Sequence, residues 1–120
     1  MRIGIDLGGT KIEGIAIDAG GGAVTAADVA ARASSGDAIA DAALARYEER
    51  MARALGGVIN LLDPDVVVLG GGVSNIDRLY TRVPQLWAPY VFSDRIETRL
   101  VRARHGDSSG VRGAAWLWDR

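Results

Sequence analysis

The sequence predicts an α/β domain in which helices cover a largely parallel sheet. Near its start, Ile3, Ile5 and Leu7 alternate with Gly4 and Asp6, the two-residue period of a strand. From Ala40 to Leu62, apolar residues recur every three or four positions, the period of a helix. Directly after it, Asp65-Val66-Val67-Val68-Leu69 is a β-branched run that fits a strand covered on both faces. Helices alternating with buried strands make a layered α/β domain. The 120 residues, 48% hydrophobic and 24% charged, suit one soluble globular unit.

The first strand runs into Asp6-Leu7-Gly8-Gly9-Thr10-Lys11. Gly8 and Gly9 allow a tight turn and close backbone approach to a ligand. Successive amides in such a turn can form an anion-binding concavity. Asp6 stands where a carboxylate could hold Mg²⁺ through water. Thr10 and Lys11 add a donor and a positive charge. A second strand is expected from Lys11 to Asp18, closing a hairpin around a phosphate loop. An ordinary glycine hairpin with a strand-end aspartate reads the same way.

Gly20-Gly21-Gly22-Ala23 forms a flexible joint. Thr25-Ala26-Ala27-Asp28 has the form of a capping box and opens a short helix to about Ser34. Gly36 breaks it, and Asp37 can cap the next helix. That long helix carries Ala40, Leu44, Tyr47, Met51, Leu55, Val58 and Leu62 inward. Arg46, Glu49, Arg50 and Arg53 lie outside as a solvated face, with Glu49 and Arg53 a favourable i,i+4 pair. Asp63-Pro64 stops it. After the β-branched strand, Gly70-Gly71-Gly72 make a turn, and Ser74 or Asn75 can cap a helix from Ile76 to about Trp87. In that helix Leu79, Val83 and Leu86 point inward, and Pro84 makes it irregular. Glu97 to Ala103 alternates as a strand. Gly106 to Gly110 is a loop, and Val111 to Trp118 a last helix whose Trp116 and Trp118 suit packing.

The composition excludes several classes. With no cysteine, a disulfide framework and a thiolate metal site are ruled out. A net charge of −1 favours neither nucleic acid nor a membrane surface as partner. No apolar run approaches the ~20 residues of a membrane span. The first residues read as a strand with no signal-peptide pattern, so a cytoplasmic location is expected.

Two further glycine elements follow strands. Ligands of open α/β sheets sit at the carboxyl ends of strands. Gly70-Gly71-Gly72 could let a flat ring such as a purine lie against backbone, or could be a tight turn without a ligand. Gly106 to Gly113 is a similar turn, whose Asp107, Ser108 and Ser109 could cap a helix or line the same cleft. His105 is the only histidine. Set between Arg104 and Gly106, with no orienting partner evident, it suits a surface or structural role better than a catalytic base.

Together and in this order, IGIDLGGTKIEGIAID, INLLDPDVVVLGGGVSNIDRLY and RARHGDSSGVRGAAWLW resemble the ROK family of bacterial sugar kinases (repressor, open reading frame, kinase), within the actin-like ATPase superfamily. Fructokinase- and glucokinase-like members are the nearest in pattern. The resemblance implies one actin-like (ribonuclease H-like) lobe over 1–120, ordered β-β-α-β-α-β-α, with a mixed sheet and an antiparallel hairpin. Its parts are a phosphate hairpin (1–19), the glycine joint (20–23) and a C-terminal αβαβα part (24–120). It also implies ATP with Mg²⁺ on Asp6, Gly8, Gly9, Thr10, Lys11, Gly70, Gly71 and Gly72, with Asp6 at the metal.

The departures bear equally on function. Family kinases are more than twice as long. Their middle carries an Asn-Asp pair with the catalytic base, a second phosphate loop, a Glu-x-Gly-His sugar segment and, in many members, a cysteine-rich zinc site. None occurs here, so no catalytic residue and no zinc are expected. The missing block falls at Gly20 to Ala23, as in an internal deletion, natural or engineered. Sugar kinase activity should be lost while nucleotide elements remain. Deletion of the strand beyond Lys11–Asp18 would leave that strand as a free edge, and apolar helix faces would lose their cover. A two-fold homodimer is therefore expected. Two other functions stay open: a folding or evolution test piece with no ligand, and a weak ATPase rebuilt across a homodimer.

Overall fold

A computed structural model describes residues 2–6, 16–17 and 23–106, the first two segments and Ala23 through their backbone alone. The strands are β1 (Arg2–Asp6), β2 (Ala16–Ile17), β3 (Ala23–Val24), β4 (Val66–Gly70) and β5 (Arg99–Arg102). The helices are α1 (Ala26–Ser34), α2 (Ala38–Leu62) and α3 (Leu79–Leu86), with 3₁₀ turns at Gly72–Asn75 and Ala88–Tyr90. β1, β4 and β5 form a parallel sheet in the order β1-β4-β5. Arg2 pairs with Val66 at one end and Asp6 with Gly70 at the other, while Leu69 pairs with Arg102. Parallel neighbours need crossover connections, which the helices supply. The α/β class expected from the sequence is the one observed.

Local chemistry sets the helix ends. Thr25 caps α1 with a reciprocal box: the Asp28 amide donates to Thr25 Oγ1 at 3.1 Å, and the Thr25 amide and hydroxyl donate to the Asp28 carboxylate at 2.9 and 2.6 Å. The Thr25 hydroxyl, then its amide, holds the Asp28 carboxyl below its usual range. Asp37 caps α2 by accepting from the Ile39 and Ala40 amides at 3.0 and 3.1 Å. The Ala40 amide, then the Arg32 guanidinium, lowers the Asp37 carboxyl likewise. At the other end Asp63 is left-handed, with φ of 41°, and Pro64 follows.

The core lies where α2 and α3 cover one face of the sheet. Met51, Ala52, Leu55 and Ile59 of α2 meet Val67 and Leu69 of β4, Leu100 of β5, and Leu79, Val83 and Trp87 around α3. The buried stripe of α2 is rotated relative to the one the sequence implies. Tyr47 and Val58 are half-buried and Leu62 is exposed, while Ala52, Gly56 and Ile59 are inside. β4 also departs from a strand covered equally on both sides: Val67 and Leu69 are fully buried, whereas Val66 and Val68 are half-buried.

Glu48 is the larger surprise. It lies on the inner face of α2 with no exposed surface. Arg78, just before α3, donates to it through Nε at 2.5 Å and Nη2 at 3.1 Å, and Arg78 also pairs with Asp41. A buried carboxylate survives only when paired and hydrogen-bonded in this way. Glu48 and then Asp41 hold the Arg78 guanidinium above its usual range.

The expected helix from Ile76 begins at Leu79. Ser74 does not cap it; its hydroxyl donates backward to the Gly71 carbonyl at 2.6 Å. Ile76 is extended, with φ of −82° and ψ of 101°, so the chain makes a short turn before α3 starts. Pro84 lies inside α3 and withholds the amide that would bond the Tyr80 carbonyl.

The expected hairpin falls mostly outside the described residues. Its two described second-strand residues, Ala16–Ile17, pair antiparallel with Ala23–Val24. The segment read as the end of the glycine joint therefore supplies a strand, and at these two residues the expected free edge has a neighbour in the same chain. The last helix, with Trp116 and Trp118, also lies outside the described residues.

Candidate functional site

The carboxyl ends of β1, β4 and β5 form one edge of the sheet. Asp6 ends β1 in register with Gly70, which ends β4, and Arg102 ends β5 one step away beside Leu69. Parallel strands carry their ligand sites at this edge because the strand-to-helix turns open there. The parallel register brings together Asp6 and Gly70, which are far apart in sequence. Gly8, Gly9, Thr10 and Lys11 lie outside the described residues.

The three glycines of the β4 turn are unlike one another. Gly70 closes the strand ladder opposite Asp6. Gly71 has φ of 77° and ψ of 172°, a region essentially closed to residues with a Cβ. Gly72 is exposed, and a Cβ built on it meets no atom within 4 Å. The turn itself requires Gly71; Gly72 leaves open surface beside it.

Four residues from three segments hold this turn. The Ser74 amide donates to the Gly71 carbonyl at 3.0 Å, in addition to the Ser74 hydroxyl bond. The Ser74 carbonyl accepts from Tyr80 Oη at 2.6 Å and from Arg102 Nε at 3.2 Å. Arg102 pairs with Asp77 at 2.7 Å and lies 5.3 Å from the Tyr80 ring centroid. Tyr80, then Asp77, holds the Arg102 guanidinium above its usual range. Sequence reading named Ser74 only as a helix cap and gave Asp77, Tyr80 and Arg102 no part. Only the fold joins β5 to the turn after β4.

His105 is exposed beyond β5, and Gly106 next to it has φ of 83°. Asp107, Ser108 and Ser109 lie outside the described residues. Among the described residues no helix is long and apolar enough to cross a membrane.

The chain is similar to known proteins in sequence and in fold. The chain is 43% identical over 93 residues to an N-acetyl-D-glucosamine kinase of Erwinia tasmaniensis, covering 78% of this chain and 31% of that protein. It is 43% identical over 84 residues to the enzyme of the same name from Photobacterium profundum, covering 70% and 28%. Among solved structures, a ROK family glucokinase from Streptomyces griseus in complex with glucose and AMPPNP matches with a TM-score of 0.67 at 23% identity, over 76% of this chain and 30% of that one. A ROK hexokinase from Thermus thermophilus matches with a TM-score of 0.64 at 27% identity, over 78% and 32%. The chain thus spans about 30% of the length of these relatives. The ROK family model matches residues 21–120, so the β3-to-terminus part carries the family signature, and this chain belongs to the ROK family.

Proposed function

We propose that this chain is the nucleotide-binding portion of a ROK sugar kinase and that it binds ATP with Mg²⁺ without phosphorylating a sugar. The observation that carries the reading is the register of Asp6 with Gly70 at the carboxyl edge of a parallel sheet, beside a turn fixed by Gly71. A family relative with a like fold is known with AMPPNP bound. In this reading Gly70, Gly71 and Gly72 receive the adenosine side, and Gly8, Gly9, Thr10 and Lys11 receive the phosphates. Asp6 holds the metal through water. The residue types suit the group: bare backbone at Gly72 admits a flat ring, and a carboxylate at the end of β1 suits a hard cation. Mg²⁺ would supply charge neutralisation at the phosphates.

The expectation of no turnover rests on residue identity. No Asn-Asp pair and no Glu-x-Gly-His segment occurs to deprotonate or hold a sugar hydroxyl. Calorimetric titration with Mg-AMPPNP is expected to show weak binding that Asp6→Ala reduces. No heat at millimolar nucleotide would leave a folded chain with no ligand. ATP-dependent phosphorylation of glucose or N-acetylglucosamine would refute the loss of activity.

Self-association is part of the proposal. Leu61 is 85% exposed and Phe92 94% exposed, apolar side chains that a second copy could cover. Light scattering is expected to report a dimer, and phosphate release by that dimer would favour an ATPase rebuilt between copies. A cytoplasmic setting fits such a protein.

A further inference from the structure

We infer that Tyr80 and Arg102 are positioning residues that clamp the Gly71–Ser74 turn into its ligand-ready shape. This deepens the nucleotide reading, on which its affinity consequence rests.

The turn has an inherent weakness. Gly71 sits where only glycine is comfortable, and glycine has more freedom to lose than any other residue. Left to itself, a Gly70-Gly71-Gly72 segment would sample many shapes, and a ligand would have to order it on binding. Two donors converge on one acceptor to prevent this. The Ser74 carbonyl, at the far end of the turn, accepts both Tyr80 Oη and Arg102 Nε. Ser74 is 1% exposed, so the acceptor is buried, while Arg102 reaches it from the exposed end of β5.

The two donors come from different places. Tyr80 is in the first turn of α3, while Arg102 is the last residue of β5. The clamp therefore ties the turn after β4 to the neighbouring strand and to the following helix at once. Arg102 is itself aimed by Asp77 at 2.7 Å and by the face of Tyr80. From the other side, the Ser74 amide and hydroxyl both end on the Gly71 carbonyl. The peptide around Gly71 is thus fixed at both ends before any ligand arrives.

The test uses the full chain with Tyr80→Phe and Arg102→Met, which keep the ring and most of the stem. Amide hydrogen exchange at Ser74 and Ile76, whose amides bond within the turn, reads the clamp directly. Each variant is expected to speed this local exchange about fivefold, the effect of one lost hydrogen bond. The core amides of β4 should change less. Affinity for Mg-AMPPNP is expected to weaken by a similar factor. Unchanged exchange at Ser74 and Ile76 in both variants would overturn the clamp. Faster exchange with unchanged affinity would overturn its role in binding. If the parent chain binds no nucleotide, the nucleotide reading and the affinity consequence both fall, and the exchange rates still decide whether the clamp exists.

Discussion

Gly56 and Gly57 are adjacent on α2, yet alanine at each is expected to move stability in opposite directions. An alanine at Gly57 meets no atom within 4 Å, and the position is exposed. Only the backbone benefit remains, about 0.5–1 kcal/mol for replacing glycine inside a helix. At Gly56, the added Cβ would stand 2.6 Å from Tyr90 Cβ and 3.1 Å from the Tyr90 carbonyl oxygen. These atoms cannot swing aside as a side-chain tip would. Asn60 holds this segment through Nδ2 to the Tyr90 carbonyl at 2.8 Å and through its own Oδ1 from the Phe92 amide at 2.9 Å. Tyr90 is further tied by its hydroxyl to Glu49 at 2.7 Å and lies under Arg53. Relieving the clash must shift α2 or the 88–92 segment, and overpacking of this kind costs about 1–3 kcal/mol. After the helix benefit, Gly56→Ala should destabilise by up to ~2 kcal/mol. At roughly 4 °C per kcal/mol for a domain of this size, the two melting midpoints should differ by roughly 4–12 °C. Thermal and urea unfolding followed by far-UV circular dichroism measure this. A Gly56→Ala variant as stable as Gly57→Ala would refute the close approach of α2 to Tyr90.

Glu48→Gln removes the charged acceptor of Arg78 and is expected to cost about 2 kcal/mol, the scale of hydrogen bonds to charged groups; a double-mutant cycle with Arg78→Ala in urea should show coupling, and additivity would contradict the ion pair. Gly71→Ala should destabilise by about 1–3 kcal/mol through its left-handed backbone, while Gly72→Ala should leave unfolding unchanged yet weaken Mg-AMPPNP in calorimetry. Asp28, Asp37 and Glu49 all have lowered carboxyl pKa values, Glu49 through the Tyr90 hydroxyl first and Arg53 second. A lowered folded-state value means stability that is present above the ordinary carboxylate range and is lost as pH falls through the folded values. The melting midpoint should therefore fall below about pH 4. Asp37→Asn keeps the cap but should flatten that acid limb, and an unaltered profile would show that Asp37 contributes nothing to it.

Much of the fold was legible because local rules coincide with tertiary ones. Thr25 and Asp28 form a reciprocal cap from their own spacing, and Asp37 and Asp63-Pro64 bound α2 with chemistry contained in the adjacent residues. β4 was visible because three consecutive β-branched valines favour an extended segment, though only Val67 of the three is fully buried. Glu48 was not legible, since its partner Arg78 is 30 residues away and a carboxylate on a helix normally faces water. The start of α3 differs from the sequence expectation for a local reason: the Ser74 hydroxyl donates back to the Gly71 carbonyl instead of capping forward. At the candidate site, the glycines announced themselves, whereas Tyr80 and Arg102 carried no motif.

The sequence by itself determined the α/β class, the limits of the long helix and the ROK membership. These depend on periodicity, caps and residue identity, all of which are properties of short stretches. The tertiary structure alone decided that β1 lies beside β4, that Asp6 therefore meets Gly70, and that Arg102 reaches the Ser74 carbonyl. Strand order and such contacts join residues tens of positions apart, and their geometry depends on how the helices pack across the sheet. No local pattern encodes it.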